Sequence, residues 1–291
     1  MFERMRGFLA PVLPSRFRPG AAVVPVVRLA GIIGITTPLR PGLTLSSVAR
    51  SLERAFAWPN GKAVALLINS PGGSAVQSHL IFRRVRQLAE EHARPVLAFV
   101  EDVAASGGYM IACAADEIIC DSSSILGSIG VVGGTFGFNR LIEKIGIERR
   151  LYTSGERKAM LDPFLPERPE DVERLKSIQR EIHRNFIDLV KSRRGAVLSG
   201  PEETLFSGEF WTGQSSLALG VADRIGDLRS TLRERFGEKV RMPLVTAERS
   251  LFGRRIPGVS ASTLGFWRGT GFAEEVVSAI EARALWARYG L

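Results

Sequence analysis

An α/β fold with a largely parallel central sheet flanked by helices is predicted by two features of this sequence. Apolar runs alternate with helical patterns from about residue 22 onward, the rhythm of βαβ units. The runs, such as Ala63–Ile68 and Val96–Val100, are apolar throughout rather than alternating with polar residues, as expected of strands covered on both faces.

Taken in order, Val23–Ile35 reads as a buried strand rich in β-branched residues. Val48, Leu52 and Phe56 recur at helical spacing after the capping candidates Ser46 and Ser47. Ala63–Ile68 is a six-residue strand; Pro71, Gly72 and Gly73 form a turn, and Leu80–Leu88 carries a helical pattern. Val96–Val100 is a further buried strand, ended by Glu101 and Asp102. Ser106–Ala115 reads as a helix and Glu117–Cys120 as a short strand. Glu167–Arg193 is a long charged helix with Leu175, Ile178, Ile182, Phe186 and Leu189 on one face. Residues 203–235 are mixed, and 236–246 read as a last strand. The organisation expected is a basic N-terminal arm over 1–21, a main domain over 22–246, and a C-terminal extension over 247–291 ending in an amphipathic helix, Ala273–Tyr289.

The chain has 291 residues, 45% of them apolar, enough to bury a substantial core. Cys113 and Cys120 are the two cysteines, too few for a disulfide framework, and read as buried thiols of a reducing compartment. His79, His92 and His183 are far apart and lack paired cysteines, so no metal site is expected, and no cofactor. The net charge is +9, but the basic residues are mixed with acids and no aromatic-and-basic motif accompanies them. Nucleic acid is therefore not expected as a partner. A basic surface still suits peripheral contact with an anionic membrane leaflet. Gly7–Pro14 is too short and proline-broken to cross a bilayer, and SRFRP at Ser15–Pro19 is no cleavage site. The expected location is cytoplasmic, or peripheral on the inner membrane, with no transmembrane helix.

Three segments carry chemistry. Asn69-Ser-Pro-Gly-Gly-Ser74 follows a strand and precedes a helix, and its paired glycines let backbone N–H groups approach a ligand. Asp102-Val-Ala-Ala-Ser106-Gly-Gly-Tyr109 places a serine just past a parallel strand at the start of a helix, where α/β proteins do chemistry. The N–H groups of Gly73 and Gly107 are then candidate oxyanion donors. Each segment also has a plain reading, a tight turn in the first case and a helix-capping serine in the second. Position 104 is alanine, so this is not the G-x-S-x-G elbow of α/β-hydrolases.

A serine hydroxyl needs a base. The three histidines read as surface residues, which leaves lysine. A free lysine, with a pKa of ~10.4, must be buried to act as a base near neutrality. Lys158, in Ser154-Gly-Glu-Arg-Lys-Ala-Met-Leu161 and shortly before Pro163-Phe164, has apolar residues after it and Arg157 beside it, a context able to bury it. The plain alternative is a solvated loop lysine.

These segments in this order, with Gly127-Ser-Ile-Gly-Val131 between the last two, resemble the S49 peptidases, the signal peptide peptidase and SohB family. Phe210-Trp-Thr-Gly213 and Gly220-Val-Ala-Asp-Arg-Ile-Gly226 add to the likeness, which spans roughly residues 23–235. The resemblance implies a ClpP/crotonase-like fold and a Ser/Lys dyad of Ser106 and Lys158. It implies an oxyanion hole near Gly73 and Gly107, with Ser128 holding the lysine amine. It implies a homo-oligomeric ring or dome, leaves open whether serine and lysine come from one chain or from adjacent subunits, and implies apolar peptide substrates such as signal peptide remnants or unfolded protein. Glu156-Arg157 departs from the family's usual residues before the lysine, and no apolar anchor is found. The competing readings are a non-catalytic membrane-associated scaffold on the same fold and a crotonase-like acyl-CoA enzyme. The latter lacks glutamates beside the hole and gives Ser106 and Lys158 no joint role.

Overall fold

The computed structural model describes residues 21–34, 42–155, 157–246 and 283–291. Most of the expected N-terminal arm and the first part of the expected C-terminal helix lie outside these residues. The predicted α/β architecture is present. Strands β1 (Val26–Ala30), β2 (Val64–Ser70), β3 (Val96–Ala105), β4 (Glu117–Cys120) and β7 (Arg224–Ile225) lie side by side in that order, all parallel. Strand β5 (Ile125–Gly127) pairs in parallel with the end of β3, and β6 (Phe210–Thr212) pairs antiparallel with β5.

The apolar runs are continuous because both faces of the sheet are covered. On β2, Val64, Leu66 and Ile68 point into the larger core cluster, shared with α1 (Leu45–Phe56), α2 (Ala75–Glu91), α3 (Gly107–Ala112) and part of α5 (Pro169–Arg194). Ala63 and Ala65 point the other way, with Val24, Val26, Leu97, Phe99 and Ile119, against Leu232 of α8 (Leu228–Phe236). The period of two within a strand sends alternate side chains to opposite layers. The remaining elements are short: α4 (Asn139–Lys144), α6 (Glu202–Leu205) and α7 (Gly213–Ala218).

Several boundaries differ from expectation for local reasons. Helix α1 is capped by Thr44, whose hydroxyl accepts from Ser47 N–H at 3.3 Å while Ser47 Oγ accepts from Thr44 N–H at 3.0 Å. Ser47 is thus the far half of a capping box rather than the cap itself. Strand β3 does not end at Glu101 and Asp102. It passes through them, because two steps along β2, Ile68 to Ser70, match four along β3, Val100 to Ala104. The two acids form a bulge, held by an Arg28–Glu101 ion pair at 2.9 Å and by Asn69 Nδ2 donating to Asp102 at 2.6 Å. Strand β1 is shorter than Val23–Ile35, with Val23 and Ile33 joined only through isolated bridges. Residues 236–246 form no strand. Arg241 and Leu244 bridge to Val23 and Val26, and Pro243 between them has no N–H to extend a ladder. On α5 the expected apolar face is fully buried at Phe186, with Leu175, Ile178, Ile182 and Leu189 half-buried.

The most buried ion pair of the late elements ties α5 to the sheet. Arg194, 5% exposed, ends α5 and donates to both carboxylate oxygens of Asp223 at 2.8 and 2.9 Å and to the Gly220 carbonyl. Asp223 also accepts from Ile118 N–H at 2.7 Å, which sets the start of β4. Removing one partner of a buried pair strands a charge, at a cost of about 3–5 kcal/mol. Asp223→Ala is expected to lower unfolding stability by about 3 kcal/mol in urea titration. Asp188→Ala, an exposed site on the same helix, is expected to stay within about 0.5 kcal/mol of wild type.

Candidate active site

Strand β3 delivers Ser106 to the foot of α3 in a conformation that serine rarely adopts. Its φ is +51° and its ψ −120°, a strained backbone of the kind that collects at functional sites. The strain is held from three sides. Ser106 N–H donates to Gly127 O at 2.8 Å, Met110 N–H donates to Ser106 O at 2.9 Å, and the backbone of Gly72 lies against the serine. A methyl group on Gly72 would come within 2.8 Å of Ser106 Cβ, so only glycine permits this approach. The Ser106 hydroxyl has no hydrogen-bond partner among the described residues. It opens into a cavity of about 460 Å³.

Two backbone amides are unspent beside it. Among the described residues neither Gly73 N–H nor Gly107 N–H has a hydrogen-bond acceptor, and both residues line the Ser106 cavity. The glycines are sterically required. A Cβ on Gly73 would sit 2.2 Å from Ile33 O, and one on Gly107 would sit 2.2 Å from Ser78 Oγ. Free donors beside an unpartnered hydroxyl are the arrangement that stabilises a developing oxyanion. The rest of the wall is largely apolar, with Met110, Val131, Val132, Ile182 and Phe186.

Ser128 is also at this cavity, 8% exposed and at a positive φ of +53°. Its hydroxyl is 3.3 Å from the hydroxyl of Tyr289, which also reaches Pro71 O at 3.5 Å. The Tyr289 ring meets Phe210 edge-on at 5.0 Å, and Leu285 and Arg288 of the same short helical turn line the cavity. The amphipathic pattern at the C-terminus was visible in the sequence, but nothing in it indicated that this segment lands on the site. His183, expected at the surface, is half-buried, with Nε2 3.0 Å from the carbonyl of Ile129 next to Ser128. His79 and His92 are exposed and stack on Phe82 and Phe56.

Lys158 corrects the sequence reading. It is exposed, not buried, and lines a separate cavity of about 440 Å³ with Arg149, Leu151, Thr153 and Phe164. The residues before it, Arg150–Thr153, have no regular structure. The reason is that the segment around it packs poorly on its own chain: α4 buries none of its residues, and Phe136, Ile145, Ile147 and Tyr152 face outward. Ser106, Gly73, Gly107 and Ser128 are thus brought together within the chain, and Lys158 is not brought to them. Cys113 and Cys120 are buried as expected; burial pushes their thiols up to about 12 and about 11. They are packing residues rather than nucleophiles.

Comparison with known proteins matches this geometry to a family. Residues 89–239, just over half of the chain, match the model of peptidase family S49, and residues 21–142 match that of the ClpP-like SDH-type serine proteinases. A chloroplastic serine protease SPPA of Arabidopsis thaliana is 36% identical over 168 residues, 57% of this chain and 24% of its own. A probable protease SohB of Haemophilus influenzae is 30% identical over 205 residues, 70% of this chain and 54% of its own. A Brucella abortus protein named Na(+)/H(+) antiporter NhaA is 53% identical over 289 residues, which cover 98% of this chain and 39% of that protein. The chain therefore spans about two-fifths of the length of that relative. No helix among the described residues is long and apolar enough to cross a membrane. With its ClpP-like sheet, its strained serine at the end of β3 and a family model matching over half its length, the chain belongs to peptidase family S49.

Proposed function

We propose that the protein is a serine endopeptidase that cleaves apolar peptides with a Ser106/Lys158 dyad, the lysine being supplied by a neighbouring copy of the chain. The observation that carries the reading is the strained, unpartnered Ser106 with two unspent amides beside it. Ser106 Oγ adds to the peptide carbonyl as its proton passes to the lysine amine. The resulting oxyanion is received by Gly73 and Gly107 N–H. The C–N bond then breaks, the proton passes to the leaving amine, and water resolves the acyl-enzyme by the same sequence. The exposed position of Lys158 and the unpacked apolar segment around it support delivery to the next subunit, with Ser128 receiving the amine.

The apolar cavity wall suits hydrophobic peptides, of which signal peptide remnants and unfolded membrane-derived segments are the natural class. The net charge of +9 and the antiporter name borne by a relative that shares this stretch favour work at a membrane surface. The scaffold reading survives only if Ser106 proves inert.

The test is cleavage of an unfolded apolar protein, with and without detergent. Ser106→Ala is expected to abolish it and Lys158→Ala to lose nearly as much, with little further loss in the double variant. Mixing the two inactive single variants and reassembling them is expected to restore part of the activity, since each supplies what the other lacks. Additive losses, or no recovery on mixing, would exclude a dyad shared between subunits.

Tyr289 occupies the Ser128 hydroxyl that the incoming amine needs. A neutral hydrogen bond and an aromatic edge contact are together worth about 1 kcal/mol. Tyr289→Ala is accordingly expected to speed fluorophosphonate labelling of Ser106 by about fivefold. An unchanged rate would mean that the segment does not obstruct the site.

A further inference from the structure

We infer that Ser70 is a positioning residue for the oxyanion hole: its buried hydroxyl decides which amide of the Pro71–Ser74 turn is left free for the substrate. The inference rests on the peptidase reading above. It follows from an account of every backbone donor in the turn. Pro71 has none. Gly72 N–H donates to Ser70 Oγ at 3.2 Å, and Ser74 N–H donates to Ile33 O at 2.8 Å. Gly73 N–H is the one that remains, and it lies at the Ser106 cavity.

Ser70 holds this arrangement from a rigid place. It is fully buried at the end of β2, level with Ala104 of β3. Its hydroxyl donates to Gly31 O at 2.7 Å while accepting from Gly72 N–H, so the end of β1 and the turn are tied through one atom. The same residue abuts the helix that carries the second donor. A Cβ on Gly108 would fall 2.5 Å from Ser70 O and 3.2 Å from Ser70 Cβ, so α3 rests directly on it. Ser70 therefore fixes the spacing between Gly73 N–H and Gly107 N–H without touching substrate. Without the hydroxyl, Gly72 N–H is a second unpaired donor in the turn, and the peptide planes on either side of it lose their anchor. A hole shaped for an oxyanion is sensitive to such a shift, because its donors act only where charge develops.

Asp227 provides the control. It caps α8 on the opposite layer of the sheet, its carboxylate accepting from Arg229 N–H at 2.8 Å and Ser230 N–H at 3.0 Å, away from the turn and the bulge. Ser70→Ala and Asp227→Ala each lose hydrogen bonds that anchor backbone amides, and their melting temperatures are expected to fall together. The readouts are kcat and KM on a fluorogenic apolar peptide, affinity for a peptide boronate, and the rate of Ser106 labelling by a fluorophosphonate. Ser70→Ala is expected to lower kcat by about 10- to 100-fold, somewhat less than outright loss of an oxyanion donor, and to weaken the boronate in proportion. Its KM is expected to stay within about twofold, since the hole acts in the transition state and not in the ground state. Asp227→Ala is expected to leave all three within about twofold of wild type. Unchanged kcat and boronate affinity in Ser70→Ala, or a raised KM at unchanged kcat, would overturn the positioning role. Wild type labelled at Ser106 while Ser70→Ala is labelled equally fast would sink this inference alone. Failure of wild type to label or cleave would sink the peptidase reading and this inference with it.

Discussion

The site depends on how β2 and β3 are paired. Parallel neighbours in regular register advance together, and their ends would carry the Asn69–Ser74 turn and Ser106 to different levels. The bulge at Glu101 and Asp102 absorbs the difference, so that Ser70 lies level with Ala104 and the turn is brought beside the serine. The same bulge lets β3 change partners, from β4 over Leu97–Val100 to β5 over Val103–Ala105. Strand β5 then supplies the Gly127 carbonyl that receives Ser106 N–H, and leads directly into Ser128. Two charged residues that look out of place in a strand are thus what aligns the site. Their cost is met by local partners, Arg28 for Glu101 and Asn69 for Asp102.

Close backbone approach is the second constraint. Gly72 lies against Ser106, Gly107 against Ser78, and Gly108 against Ser70, each too near for a Cβ. These contacts bring two peptide amides to one serine without a side chain between them. They also explain how a serine can stay at a φ of +51°, a conformation that costs on the order of 1–3 kcal/mol and persists only where the surroundings over-determine it. The large core cluster beneath, with Tyr109 fully buried and donating to Val221 O at 3.0 Å, supplies that rigidity.

What could be read from the sequence follows from what is local. Strands covered on both faces show as continuous apolar runs, and the N-S-P-G-G and A-S-G-G-Y segments sit at strand ends, so the fold and the place of the candidate site are legible. The helix cap at Thr44 and the bulge in β3 were not, because both depend on hydrogen bonds among neighbours whose spacing a pattern does not reveal. The strand expected over 236–246 is absent for a similar reason: apolar residues imply contact with the sheet, but Pro243 limits that contact to bridges. Tyr289 was out of reach altogether, since 161 residues separate it from Ser128 and no periodicity links them.

Lys158 shows the limit of local reading. Apolar neighbours in sequence suit burial, yet apolar residues bury a lysine only if something packs over them. Here Phe136, Ile145, Ile147 and Tyr152 all face outward around a helix with no buried residue. Exposed apolar side chains gathered in one segment are costly in water and favour association. Lysine works as a base only where enclosure strips it of solvent. On the proposed reading both needs are met by one event: packing this segment onto another copy buries the apolar side chains and takes the lysine out of water. Catalytic competence would then be tied to assembly, and a lone chain would carry a formed oxyanion hole and a strained serine but no base.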